Sequence, residues 1–309
     1  MTKTKAPAPG KPKTKGIKKN WELFFVALPF MIMLIMFSYV PLAGWIISFF
    51  EYKPGRALFD CNFVGLKYFK YFLTDRDVLR VLKNTLIFSG IGYILSPVPM
   101  LFAMGLNELS CTRFKKVAQT MTTLPHFISM IIVYALAFAM FSNEGVVNTV
   151  LEGMGSATRI NWLSNKKIVY LFQTCVSQWK GLGWSSIIYI AAIAGIEQEQ
   201  YEAAAIDGAG RFRQALHITL PGLMPTFLVL FLMAIAHFMS TGFEQYFVFQ
   251  NSMVASKIEV LDLYIYKQGL KLFDYSYSTA VGIIKSIVSI VLLFLANYLA
   301  RRVRGTNIF

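Results

Sequence analysis

The chain has 309 residues, 56% hydrophobic and 15% charged, where soluble domains carry roughly a quarter charged, and its mean hydropathy is +0.53. This composition excludes a soluble globular enzyme and points to a protein embedded in a bilayer. The formal net charge of +14 is spread over segments flanking apolar runs, where anionic lipid accounts for it, so nucleic acid is not an expected partner.

Residues 1–20, opening MTKTKAPAPGKPKTKG, read as a disordered basic tail. Residues 22–50 form the first apolar run, too long for a signal peptide and without a small-x-small cleavage site, so it is read as a retained helix. Residues 51–83 follow as an external segment. Its Phe63, Leu66, Phe69 and Leu73 recur at helical spacing, which predicts an amphipathic helix at the interface.

Residues 84–107 read as a second helix kinked at Pro97 and Pro99, and 117–141 as a third containing Pro125 and His126. A polar loop with Trp162 at an interfacial position leads to a fourth helix, 168–196, which holds WKGLGW and one lysine, Lys180. After a loop at 197–221 come a fifth helix, 223–247, and a sixth, 275–300, where the long stem of Lys285 is expected to reach a neighbouring acid. Each apolar run exceeds the ~20 residues that cross a hydrocarbon core, and continuous runs favour helices over barrel strands. The expected fold class is an all-α integral membrane protein with six transmembrane helices.

An even number of crossings puts both termini on one side. Lys3, Lys5, Lys11, Lys13, Lys15, Lys18 and Lys19 before the first helix, and Arg301, Arg302 and Arg304 after the last, make that side the cytoplasm. Cys61, Cys111 and Cys175 fall in an external loop, a cytoplasmic loop and mid-membrane, so they are not expected to pair, and no CxxC or metal spacing occurs. No internal repeat is visible, which counts against secondary-transporter folds built from repeats.

The loop between helices four and five contains YEAAAIDGAGRFRQALHITLP, Tyr201 to Pro221. Its acids Glu197, Glu199, Glu202 and Asp207 have no His or Cys at metal spacing and no pocket to shift their pKa values, so they are not read as catalysts. As a helix, the segment places Tyr201, Ala204, Ala205, Gly208 and Phe212 near one face, with almost no side chain between the aromatic ends. Such a face lets another backbone approach closely, and the GAG at 208–210 permits a turn. Small-residue faces also serve plain helix packing, so a well-capped loop without a partner is the alternative.

The string EAAAIDGAGRFRQALHITLP resembles the EAA loop of binding-protein-dependent ABC importer permeases. That pattern is EAA, three residues, G, nine residues, I, one residue, LP, and Glu202, Ala203, Ala204, Gly208, Ile218, Leu220 and Pro221 occupy every position of it. The resemblance extends over nearly the whole chain, through NFVGLKYF, VLKNTLIF, GVVNTVLEGMG and NWLS, which look like segments of carbohydrate permeases of the MalF/UgpA type. YVPLAGWIISFFEYKPG is similar to the permeases for polysaccharide breakdown products, the subfamily named after LplB.

The resemblance implies the type I ABC importer (MetI-like) permease fold and a non-catalytic subunit in the bacterial cell membrane. It implies that the loop is a coupling helix seated in a cleft of a cytoplasmic ATPase, with Tyr201, Glu202, Ala203, Ala204, Ala205, Asp207, Gly208 and Phe212 as the ATPase-coupling residues. The chain has no GxxxxGK[ST] segment, so no cofactor is expected in it, and ATP and Mg would be bound by the partner. The expected partners are a second homologous permease, two ATPase subunits, an extracytoplasmic solute-binding protein, an oligosaccharide and the lipid bilayer. Transport would proceed by alternating access.

In related sugar permeases the stretches before and after this loop line the cavity. Lys180, Gly181, Trp184 and Tyr189 in helix four, and His237, Thr241, Glu244 and Gln245 in helix five, are therefore the substrate-cavity candidates, joined by Ser185 and Ser240. Packing roles compete with this reading for the aromatics, and backbone hydrogen bonds for the hydroxyls. A glutamate there suits a neutral sugar and repels a uronate unless Lys180 or the partner compensates. The competing functional class is an ion-coupled secondary transporter with Lys180, His237 and Glu244 as a proton relay, which has no use for a docking helix. A membrane enzyme lacks a catalytic constellation.

Overall fold

The computed structural model describes residues 21–155 and 158–304, so the basic tail at 1–20 lies outside the described residues. Among those residues the regular elements are helical, joined by turns and loops, with one isolated antiparallel bridge between Phe50 and Phe63. Among the described residues five segments are long and apolar enough to cross a membrane: Phe24–Phe49, Arg76–Asn107, Met130–Gly153, Arg211–Ala236 and Tyr275–Tyr298. A sixth is Val169–Ala194 taken together with Gln198–Ile206, to which it joins at a 70° bend.

The chain divides into Met1–Ile47 and Ser48–Phe309. The first unit holds α1 (Trp21–Leu34), which contains Pro29 and runs on through a wide turn at Ile35–Tyr39 into the tight turns of Val40–Phe49, whose last two residues belong to the second unit. Most of its described apolar side chains, among them Phe25, Phe30 and Phe37, are exposed, as lipid-facing residues are.

The second unit opens with α2 (Lys67–Thr74) and α3 (Arg76–Ile94). On α2, Phe72 is buried while Leu73 is exposed, so the segment read as amphipathic turns one apolar face inward and another outward. Asp75 begins α3 by accepting the backbone N–H of Asp77 at 2.9 Å, which satisfies a donor the helix start leaves free. The same carboxylate accepts the hydroxyls of Tyr264 and Tyr277 at 2.9 and 3.0 Å. Burial pushes the Tyr264 phenol above its ordinary pKa, so it stays a donor.

A turn at Leu95–Pro97 separates α3 from α4 (Val98–Asn107), the kink that the proline pair predicts. The stretch 117–141, read as one helix, is divided. It comprises α5 (Thr112–Thr123), a tight turn at Leu124–Phe127 and α6 (Met130–Phe141). Pro125 interrupts the ladder, and the hydroxyls of Thr122 and Thr123 bond back to helix carbonyls at 2.8 and 2.7 Å. Next come α7 (Val146–Gly153) and α8 (Val169–Ala194), the axis of the unit, which packs on α4, α5 and the later helix α11. At the α5 crossing a Cβ on Gly183 would stand 2.2 Å from the Thr122 carbonyl, so only glycine fits.

After α8 come α9 (Gln198–Ile206), α10 (Arg211–Gln214) and α11 (Leu220–Ala236). The segment 223–247, read as one helix, breaks after α11 and resumes as α12 (Glu244–Phe249). Gly242 at φ +89° makes the break possible. Ser89 donates to the freed Phe238 carbonyl at 2.6 Å, and Tyr93 to the Ala234 carbonyl, which also accepts the His237 N–H at 2.7 Å. Irregular backbone at membrane depth needs such partners. The chain closes through α13 (Ala255–Ile258), α14 (Leu261–Tyr266) and α15 (Tyr275–Arg304). Lys285 of α15 pairs with Asp262 of α14 and donates to Ser240 at 3.2 Å, fulfilling the expectation of an acid for its ammonium.

Candidate functional site

Helix α9 is short because its sequence ends it on both sides. Gly195, Ile196 and Glu197 bend the chain away from α8. At the far end Ala209 N–H bonds the Ala204 carbonyl at 2.8 Å and Gly208 N–H bonds that of Ala205 at 3.1 Å. This pair of bonds is a Schellman stop, with Gly208 at φ +76°. No atom lies within 4 Å of where a Gly208 Cβ would stand, so glycine is needed there for its backbone and not for space.

The helix is fixed to the body by its inner face. The Tyr201 hydroxyl lies 2.9 Å from that of Thr219, which is buried at the root of α11. Gln214 donates to the Ala209 carbonyl at 3.0 Å, and Arg211 to the Ser110 hydroxyl at 2.9 Å. A Cβ on Gly222 would come within 2.8 Å of Ile196, so the root of α11 sits close against the bend.

The outer face is bare. Glu202, Ala203, Ala205, Asp207 and Gly208 are exposed, Ala204 is half-buried, and two large apolar side chains project beside them: Ile206 is 87% exposed and Phe212 83%. Soluble apolar side chains seldom stay so open without a partner surface. Tyr201, grouped from the sequence with Phe212 on one face, turns inward to Thr219, and Phe212 lies beyond the turn on α10. Thr219, Ser110, Arg211 and Gln214 were not among the expected residues. Their roles depend on tertiary contacts with no signature of their own.

The cavity candidates fall into three groups. Trp184 is about half exposed, stacks on His126 at 4.6 Å and 2°, and meets the edge of Phe127. Gly181 has open space above it. His237, Thr241 and Glu244 lie on or beside the break between α11 and α12. His237 bonds the Met233 carbonyl at 3.1 Å, Glu244 is exposed, and the Thr241 hydroxyl is buried without a hydrogen-bond partner.

The remaining candidates sit in structural contacts. Tyr189 lies in the core with Met100, Ala103, Ile193 and Leu223. Gln245 is buried and donates at 2.8 Å to both the carbonyl and the side-chain oxygen of Gln173. The Lys180 ammonium holds the carbonyls of Pro125, His126 and Ile128 at 3.3, 2.8 and 2.6 Å, closing the turn before α6. The structure therefore does not assemble Lys180, His237 and Glu244 as a relay: the hydrogen bonds of Lys180 and His237 go to backbone carbonyls.

A helical protein with several membrane-length apolar segments, one of them broken, and a short exposed helix bent away from α8 has the form of a transporter's membrane subunit. Residues 96–305 match the family described as binding-protein-dependent transport system inner membrane component. The chain is 37% identical to Protein LplB of Bacillus subtilis (strain 168), over 95% of this chain and 93% of LplB. It is 38% identical to the polygalacturonan/rhamnogalacturonan transport system permease protein YteP of the same organism, over 93% of this chain and 90% of YteP.

Among solved structures, a bacterial alginate ABC transporter in complex with an alginate pentasaccharide-bound periplasmic protein has a chain that superposes with a TM-score of 0.86. The two are 32% identical, and the match covers 96% of this chain and 100% of that one. The chain belongs to this inner membrane component family, as a sugar ABC transporter permease with the MetI-like permease fold.

Proposed function

We propose that the chain is one permease subunit of an ATP-driven importer, and that α9 is the element through which a separate ATPase drives it. The observation that carries this reading is the combination at α9: a helix turned 70° from α8, anchored inward by Tyr201 and stopped by Gly208, with an acid, alanines and two large apolar side chains facing outward. The bare alanines allow close approach, Glu202 supplies a charge, and Ile206 and Phe212 supply apolar area. Because the bend is anchored at the root of α11, force applied to α9 is passed to the helix that carries the break at 237–243.

In this reading ATP and Mg are bound by two copies of the partner, and a second homologous permease completes the transmembrane path. An extracytoplasmic solute-binding protein delivers the sugar, and both termini lie in the cytoplasm. Rigid-body motion then opens a cavity alternately to each side. That cavity is bounded by Gly181 and Trp184 of α8 and by His237, Thr241 and Glu244 at the break. The substrate is an oligosaccharide released in polysaccharide breakdown, a class supported by the names of YteP and of the alginate transporter.

The test is co-purification from membranes of cells expressing the full system. Glu202→Lys and Ala205→Leu, both on the exposed face, leave the chain inserted at wild-type amounts but release the ATPase and stop uptake. Full ATPase retention and uptake in both variants would overturn the coupling role.

A further inference from the structure

At the end of α8 away from α9, α6 and α8 leave an open groove of about 510 Å³. Val133, Leu136 and Met140 of α6 face Leu171, Cys175 and Trp179 of α8 across it. A sugar is a poor occupant of such walls, because its hydroxyls lose water and gain no partner. The groove follows α8 from Ile168 to Trp179, about 16 Å at ~1.5 Å per residue. One leaflet of a ~30 Å hydrocarbon core is about 15 Å deep, whereas a partner helix crossing the membrane needs about twice that length of matching surface. Beyond Trp179 the character changes at Lys180, whose ammonium is bound to three carbonyls.

The end at Ile168 is closed by the loop that carries Trp162, whose ring stands 6.4 Å from Phe141. The Trp162 ring lines the groove at this end, with its indole N–H turned away from solvent. Lys166 and Lys167, both exposed, stand on the same loop between Trp162 and Ile168. That loop is held by the Asn161 side chain on Ser164 N–H at 3.1 Å and the Asn165 side chain on Lys167 N–H at 2.9 Å.

We propose that this groove binds one acyl chain of an anionic glycerophospholipid, with the chain packed against the Trp162 ring at headgroup level and the headgroup charge beside Lys166 and Lys167. An interfacial tryptophan ring at headgroup level, and lysines that attract anionic lipid, are the expected recognition chemistry. The proposal needs only that the chain lies in a bilayer, and it is independent of the coupling role of α9.

The experiment places the full-length chain, alone and in its purified assembly, in phosphatidylcholine nanodiscs. The probe is phosphatidylglycerol with a diazirine midway along one acyl chain, compared with the same analogue of phosphatidylcholine. Mass spectrometry is expected to map cross-links to residues 136–141 and 171–179 in both preparations, with the phosphatidylglycerol probe half-saturating at a lipid fraction at least fivefold lower. The Lys166→Glu/Lys167→Glu variant, altered only at exposed positions, removes that difference, Trp162→Ala weakens labelling several-fold, and Leu171→Trp abolishes it. Equal labelling by the two headgroups, or cross-links scattered over other helices, overturns the proposal. So does labelling of the lone chain that disappears in the assembly, which would give the groove to a partner helix.

Discussion

The hydroxyls of Tyr201 and Thr219 meet at 2.9 Å, joining the exposed helix α9 to the buried root of α11. A hydrogen bond of this kind contributes about 1 kcal/mol. Tyr201→Phe and Thr219→Val should each raise hydrogen exchange of the α9 amides by roughly fivefold, the rate equivalent of that energy. The double variant should add little to either single one, because both remove the same contact. Additive effects would show that the two side chains act separately.

Gly208 offers a test that separates backbone from surface. Its φ of +76° is costly for residues with a Cβ, by about 1–2 kcal/mol, and least so for Asn. Since nothing lies within 4 Å of the added Cβ, Gly208→Val fails only through the turn, and Gly208→Asn retains most ATP-driven uptake. The comparison is made at matched membrane abundance. Equal loss in both variants would mean that the open space above Gly208 is filled by the partner.

The six expected apolar runs were visible because hydropathy averages over about twenty residues and tolerates a single charge such as Lys180 or Lys285. The proline pair at 97 and 99 also marked one kink, but the breaks near Pro125 and Gly242 were not visible. Pro125 and Gly242 were in plain view, but a proline or glycine in an apolar run marks a kink as readily as an end, and the deciding partners lie far along the chain. Ser89 and Tyr93 on α3 hold the carbonyls of Phe238 and Ala234, and Lys180 holds the turn at Pro125.

The same limit applies to individual side chains. Tyr189, Gln245 and Lys180 have the composition of a sugar site, yet they are engaged by core, Gln173 and backbone respectively. Residue type alone does not say which way a helix turns. The α9 stop was more legible, since a Schellman turn needs a glycine at a fixed place after the helix.

The Lys285–Asp262 pair predicts a sharp asymmetry between single and double variants. Both side chains are largely buried, and removing one partner of such a pair costs about 3–5 kcal/mol because the other charge is left without compensation. Lys285→Met and Asp262→Leu should each lower the unfolding temperature of the detergent-solubilised protein by several degrees. The double variant should recover most of the loss. A double variant as unstable as the singles would indicate that the two charges serve other partners.

Gly183 should tolerate no side chain. The Thr122 carbonyl that an added Cβ would meet at 2.2 Å belongs to backbone, which cannot rotate away, so α5 must move off α8. Overpacking on this scale costs about 3 kcal/mol or more. Gly183→Ala is expected to reduce the monodisperse fraction on size-exclusion chromatography sharply, while Gly181→Ala, two residues away and facing open space, leaves it unchanged.

Trp184 is the cavity candidate whose surroundings best separate transport from stability. Its ring is about half exposed and lies flat on His126, so truncation opens no buried void and removes an aromatic face. Aromatic contacts of this size are worth about 0.5–1.5 kcal/mol, or roughly two- to tenfold in rate or affinity. Trp184→Ala is expected to lower uptake of labelled oligosaccharide into proteoliposomes by that factor at unchanged ATPase retention, and Trp184→Phe to restore most of it. Tyr189→Ala, five residues further along α8 but in the core, should instead reduce the amount of folded protein. If Trp184→Ala transports at the wild-type rate, the sugar path runs along another face of α8, and the stack on His126 serves only to hold the Pro125 turn in place.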